Sequence, residues 1–104
     1  WETQDRERDT TFAQEAWKTV CGFLRDPSYA MIILDEFNIA LQHDYVDVAE
    51  VVTALRARPP MQHVVLTGRG AKDVFIEEAD LVTEMKQIKH PFRKGIKAQA
   101  GVEF

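Results

Sequence analysis

Apolar positions along this chain change period several times, and each change marks an element. From Thr10 onward, Phe12, Ala13, Ala16, Trp17, Val20, Phe23 and Leu24 recur at spacings of three and four, with Gln14, Glu15 and Lys18 on the opposite side. That is one apolar stripe on a helix. The helix has room to start as early as Asp5, with Asp9 or Thr10 as a later capping candidate, and Asp26-Pro27-Ser28 stops it. Trp17 and Cys21 read most simply as core residues of that helix. Tyr29 to Leu34 is instead an unbroken apolar run of strand length, expected to be buried on both faces as in a parallel sheet.

Beyond that run, Phe37 to Leu41 reads as a helical turn or short helix and His43-Asp44-Tyr45 as a break. Val46 to Arg56 resumes a helical period, with Val48, Val51, Val52 and Leu55 on one side and Asp44 or Asp47 as cap. Arg56 and Arg58 suit its carboxyl end, and Pro59-Pro60 closes it. His63 to Thr67 is a second short buried strand that runs into Gly68-Arg69-Gly70. Ala71 to Ala79 is a short helix. From Asp80 to Ile88, Leu81, Thr83 and Met85 alternate with Val82, Glu84 and Lys86, which predicts a third strand at or near an edge. Strands separated by helices predict an α/β fold with a parallel sheet and right-handed crossovers.

Composition narrows the partners. At 104 residues the chain is one domain at most, and a formal net charge of -4 argues against a nucleic-acid surface. The single cysteine, Cys21, excludes an internal disulfide and fits a reducing compartment, hence the cytoplasm. No apolar run approaches the roughly 20 residues of a membrane span, so no membrane role is expected. The chain starts at Trp1 and its first methionine is Met31, which reads as a piece of a longer protein.

The candidate chemistry starts where the first strand ends, at Asp35-Glu36. Open α/β sheets place ligands at the carboxyl ends of their strands. One carboxylate there suits Mg²⁺ and the other a water or substrate, which is the shape of a Walker B element. The same pattern also fits a strand leaving the core through two solvated acids. If the two strands are parallel, Arg69 lies at the same sheet edge, where a guanidinium suits a phosphate or carboxylate; a surface Arg in a tight turn fits equally. Gly68-Arg69-Gly70 is not a Walker A loop, since it lacks the Lys-Ser/Thr pair and the four-residue span between glycines. His43 has no second His or Cys at a ligand spacing, so no metal role is expected of it. Lys89, His90, Arg93, Lys94 and Lys97 form a basic tail that reads as solvated surface or as a substrate-facing segment. The residues alone lead to a nucleotide or phosphate site near Asp35, Glu36 and Arg69, with no reaction assigned.

A longer set of motifs goes further. Trp1-Glu2-Thr3-Gln4 with Arg6-Glu7, Leu34-Asp35-Glu36, Ala57-Arg58-Pro59, Thr67-Gly68-Arg69-Gly70, Ala79-Asp80-Leu81-Val82-Thr83-Glu84-Met85, Lys89-His90-Pro91-Phe92, Gly95-Ile96-Lys97-Ala98-Gln99 and Gly101-Val102-Glu103-Phe104 occur in order across the chain. Together they resemble the carboxyl-terminal part of the P-loop type ATP:corrinoid adenosyltransferases. The resemblance implies a RecA-like P-loop fold with a mainly parallel sheet, residues 1–104 being an incomplete, carboxyl-terminal portion of one domain. It implies transfer of the 5′-deoxyadenosyl group of ATP to the Co(I) centre of a corrinoid, with triphosphate released. Asp35 and Glu36 match the family's Mg²⁺-side acids, with Glu36 the closer ligand and both acting in catalysis. Arg69 matches a contact to the ATP phosphates, and Trp1 an aromatic set against the corrin. A homodimer and a flavoprotein-type reductant supplying Co(I) are also implied. The family's Walker A segment would precede Trp1 and is absent from these residues, so the chain alone is expected to be inactive. Two further readings stay open, a non-catalytic α/β binding module and part of a RecA-type ATPase.

Overall fold

The structure, a computed structural model, describes residues 2–90, with side chains from Asp5 onward. Its elements run α1 (Glu2–Leu24), β1 (Met31–Leu34), α2 (Phe37–Gln42), α3 (Val48–Arg56), β2 (His63–Leu66) and α4 (Asp73–Glu78). The helix α1 begins well before its apolar stripe. Its polar first turns are held by contacts that periodicity does not register. Arg6 Nη2 donates to the His43 carbonyl at 2.9 Å and the guanidinium sits 5.4 Å over the Tyr45 ring, which itself stacks on His43.

The buried part of the α1 stripe is narrower than the sequence pattern. Trp17 and Leu24 are buried and Ala13, Val20 and Cys21 pack beside them, whereas Phe12 is 76% exposed. Trp17 stacks on Phe37, with ring centroids 5.7 Å apart. Burial and loss of water push the Cys21 thiol above its ordinary pKa, with Glu50 adding slightly and Arg25 opposing.

The strands β1 and β2 pair in parallel, Met31 opposite His63 through Leu34 opposite Leu66. On one face Ile32 and Leu34 join Trp17, Leu24, Leu41, Val46, Val51, Val52 and Phe75 in a single core. Leu24, Leu41 and Val51 are sealed from solvent, and each such aliphatic side chain contributes about 1.5–3 kcal/mol by leaving water. The other face is open: Met31, Ile33 and Val65 stand 56%, 61% and 40% exposed. The expectation of strands buried on both faces is therefore corrected. The packed helices cover one side only, so β1 alternates strictly between buried and exposed, and Val64 and Leu66 of β2 are only half-buried.

The helix α3 starts one residue after Asp47, whose carboxylate accepts from the Ala49 amide at 3.1 Å, a standard N-cap. Its far end is closed by Arg58, which donates to the carbonyls of Leu55 and Gln62. The Gln62 side chain is buried, and its amide nitrogen reaches the carbonyls of Phe23, Asp26 and Tyr29 at 3.0–3.3 Å. That one amide ties the end of α1, the connection and the start of β2 together.

The third strand expected over Asp80 to Ile88 does not form. These residues carry no strand assignment, and Leu81, Val82, Met85 and Ile88 are exposed. A strand needs a neighbour for its backbone groups, and among the described residues only β1 and β2 pair. The helix expected from Ala71 is shorter too, with Phe75 as its buried residue. Among the described residues no helix is long and apolar enough to cross a membrane.

Candidate functional site

Both strands point their carboxyl ends the same way, and this brings three of the sequence-derived residues together. Asp35 and Glu36 form the turn that leaves β1, and Arg69 sits in the loop that leaves β2. Glu36 adopts a left-handed backbone (φ 56°, ψ 22°) and caps α2 without any side-chain bond to the helix. For a residue with a Cβ this conformation costs on the order of 1–3 kcal/mol, so neighbouring contacts must hold it.

Thr67 holds it. Its hydroxyl accepts from the Glu36 amide at 2.9 Å and donates to Asp35 Oδ1 at 2.8 Å. The backbone on either side continues the linkage, with the Thr67 amide on the Leu34 carbonyl at 3.1 Å and the Asn38 amide on the Thr67 carbonyl at 3.3 Å. One carboxylate oxygen of Asp35 is thereby committed to Thr67. Glu36 is exposed, and its carboxylate makes no hydrogen bond or ion pair with the described residues; the same holds for the guanidinium of Arg69.

The next layer comes from α2. Asn38 is buried, and its side-chain amide donates to the Gly68 carbonyl at 2.9 Å. Gln42 donates to the Gly70 carbonyl at 3.0 Å. Lys72, just beyond, pairs with Asp44 at 3.1 Å. Gly68 and Gly70 both have positive φ, 121° and 67°. The Gly68 backbone comes so near the acidic turn that an added Cβ would lie 3.4 Å from Glu36 Cα. Asp35, Glu36, Gly68, Arg69 and Gly70 are all exposed. Shallow grooves beside α1 and beside Asp44 and Lys72 are lined by none of Asp35, Glu36 and Arg69.

Exposed carboxylate oxygens are hard donors of the kind Mg²⁺ takes. Two adjacent acids, one free and one with an oxygen to spare, fit an ion that keeps waters and substrate phosphates in its remaining positions. No group of three or more His, Cys, Asp or Glu gathers among the described residues, so an ion held wholly by the described side chains does not fit. Trp1 lies outside the described residues, as do Arg93, Lys94 and Lys97. Lys89 and His90 are described but belong to no helix or strand. Sequence reasoning missed Thr67, Asn38 and Gln42. The only available signals were a hydroxyl residue closing the second strand and two amides four residues apart after the acids.

Open α/β sheets bind their ligands beyond the carboxyl ends of parallel strands, which is where the paired acids and the arginine loop converge here. The chain belongs to the family described as ATP:corrinoid adenosyltransferase BtuR/CobO/CobP, whose family model matches residues 1–104. It is 62% identical to a corrinoid adenosyltransferase of Sinorhizobium sp, over 100% of this chain and 49% of that protein. It is 56% identical to a corrinoid adenosyltransferase of Pseudomonas aeruginosa and 42% identical to one of Escherichia coli K12, each over 100% of this chain and 51% and 53% of those proteins. The chain thus spans about half the length of the curated relatives it matches.

Proposed function

We propose that residues 1–104 are the carboxyl-terminal part of a corrinoid adenosyltransferase of RecA-like P-loop fold, working on ATP and a corrinoid. In this reading the 5′-deoxyadenosyl group passes from ATP to Co(I) of the corrinoid, and the triphosphate leaves. Mg²⁺ would offset the charge that grows on that leaving group. Glu36 would be its direct protein ligand and Asp35 would hold a coordinated water, with Arg69 reaching a phosphate from the neighbouring loop. Trp1 would lie against the corrin. A flavoprotein-type reductant, a homodimer and a cytoplasmic setting complete the reading.

The observation that carries this proposal is the turn built by Thr67. It commits one oxygen of Asp35 to the Thr67 hydroxyl and leaves the Glu36 carboxylate without a partner among the described residues, beside the loop that carries Arg69. A merely solvated acid has no need of the left-handed backbone that Glu36 keeps. The test is Glu36→Gln in the full-length protein, followed by the rate of adenosylcorrinoid formation from pre-reduced corrinoid and Mg-ATP. Loss of one charged ligand is expected to remove about 2–4 kcal/mol of transition-state stabilisation, about 30- to 1000-fold in rate, with folding unchanged. Normal turnover would remove Glu36 from the site. No Walker A sequence occurs within residues 1–104, and titration calorimetry with Mg-ATP is expected to show no micromolar binding. Such binding by a verified 104-residue monomer would overturn the incomplete-domain reading.

A further inference from the structure

Arg69 is bracketed by two glycines, and each glycine carbonyl is caught by a side-chain amide from the same face of α2. Asn38 and Gln42 are four residues apart, one helical turn, so their side chains stand one above the other. Asn38 takes the Gly68 carbonyl at 2.9 Å and Gln42 takes the Gly70 carbonyl at 3.0 Å. The glycines fit this arrangement closely. A Cβ at Gly70 would fall 1.7 Å from the Gln42 amide nitrogen, and one at Gly68 would fall 3.2 Å from Asn38 Cβ. Both glycines also hold positive φ, which a side chain would resist. The backbone of Arg69 is therefore pinned on both sides while its guanidinium stays exposed, with no partner among the described residues.

We propose that Asn38 and Gln42 are positioning residues that clamp the Gly68-Arg69-Gly70 loop to α2 and so fix Arg69 relative to Glu36. Glu36 is the cap of α2, and thus the acid and the clamp belong to one short rigid piece. Ligand binding at Glu36 and placement of Arg69 are then mechanically one event. Its consequence for ATP rests on the proposed function, in which Arg69 contacts a phosphate.

Gln42 is the residue to change, because it is exposed and Gln42→Met keeps its length while removing the donor. Asn38→Leu serves as the buried counterpart, with its melting temperature recorded alongside. In the full-length protein, tryptic cleavage of the Arg69–Gly70 bond, followed by mass, reads the clamp directly. Cleavage is expected to be several-fold faster in Gln42→Met at an unchanged melting temperature; an unchanged rate overturns the clamp whatever Arg69 binds. The second measurement is a double-mutant cycle on the KM for ATP. Gln42→Met is expected to raise KM roughly tenfold with Arg69 present, and less than about twofold in an Arg69→Ala background. Equal losses in both backgrounds would show that Gln42 acts independently of Arg69 and overturn the proposal. An Arg69→Ala variant with normal KM would instead sink the phosphate role of Arg69, and the proteolysis result would then decide the clamp alone.

Discussion

The two faces of the sheet are made from the same kinds of side chain and have opposite fates. Ile32 and Ile33 are adjacent and chemically identical, yet one is 8% exposed and the other 61%. The covered face shares its core with residues of α1, α2, α3 and α4, all drawn from within this chain. The open face, Met31, Ile33 and Val65, meets none of them. Uncovered aliphatics on a sheet are costly in water and invite association. The contrast teaches that the described residues cover the sheet on one side only, although the strands carry apolar side chains on both. In the proposed parent the second cover would come from outside residues 2–90.

The comparison can be broken by measuring the faces separately. Ile32→Ala is expected to cost the chain about 2–5 kcal/mol in denaturant unfolding, and Ile33→Ala well under half of that. If residues of the proposed full-length protein cover the open face, the two losses converge there; a gap that persists would show that the open face stays open. A smaller effect tests how the covered side is framed. Asp47→Ala removes the α3 cap and is expected to cost about 1 kcal/mol, with Asp47→Asn recovering most of it. The smallest concerns the Arg56–Glu78 pair that links α3 to α4 at the surface. Its hydrogen bond to Arg56 holds the Glu78 carboxyl below the usual range. The pair's contribution is therefore present above the ordinary glutamate pKa and is lost as pH falls through the lowered value. Both groups face solvent, so Glu78→Gln is expected to flatten the acid limb only slightly, and high salt should erase the difference.

What could be read in advance follows from what periodicity records. The α1 stripe, the Asp47 cap, the Pro59-Pro60 stop and the acids ending β1 are local features, and each was legible. The shared edge of Glu36 and Arg69 required only parallel pairing. Burial of both strand faces and a strand over Asp80 to Ile88 were misread for one reason: the pattern shows what a segment is suited to meet, not whether a neighbour is there. Thr67, Asn38 and Gln42 were missed because their partners lie 28 to 32 residues away in the chain. Polar links over that distance leave no repeat to find.

The left-handed backbone at Glu36 sets stability against use at a single position. Glycine or asparagine would accept φ 56° with less strain, so Glu36→Gly and Glu36→Asn are expected to leave the melting temperature unchanged or raise it. Both would remove the exposed carboxylate. A library at this position, sorted once for thermal resistance and once for adenosylation, should therefore return two sets of residues with little overlap. A glutamate kept where the backbone prefers glycine is a trade the fold makes against itself, and the sorting experiment would show how steep that trade is.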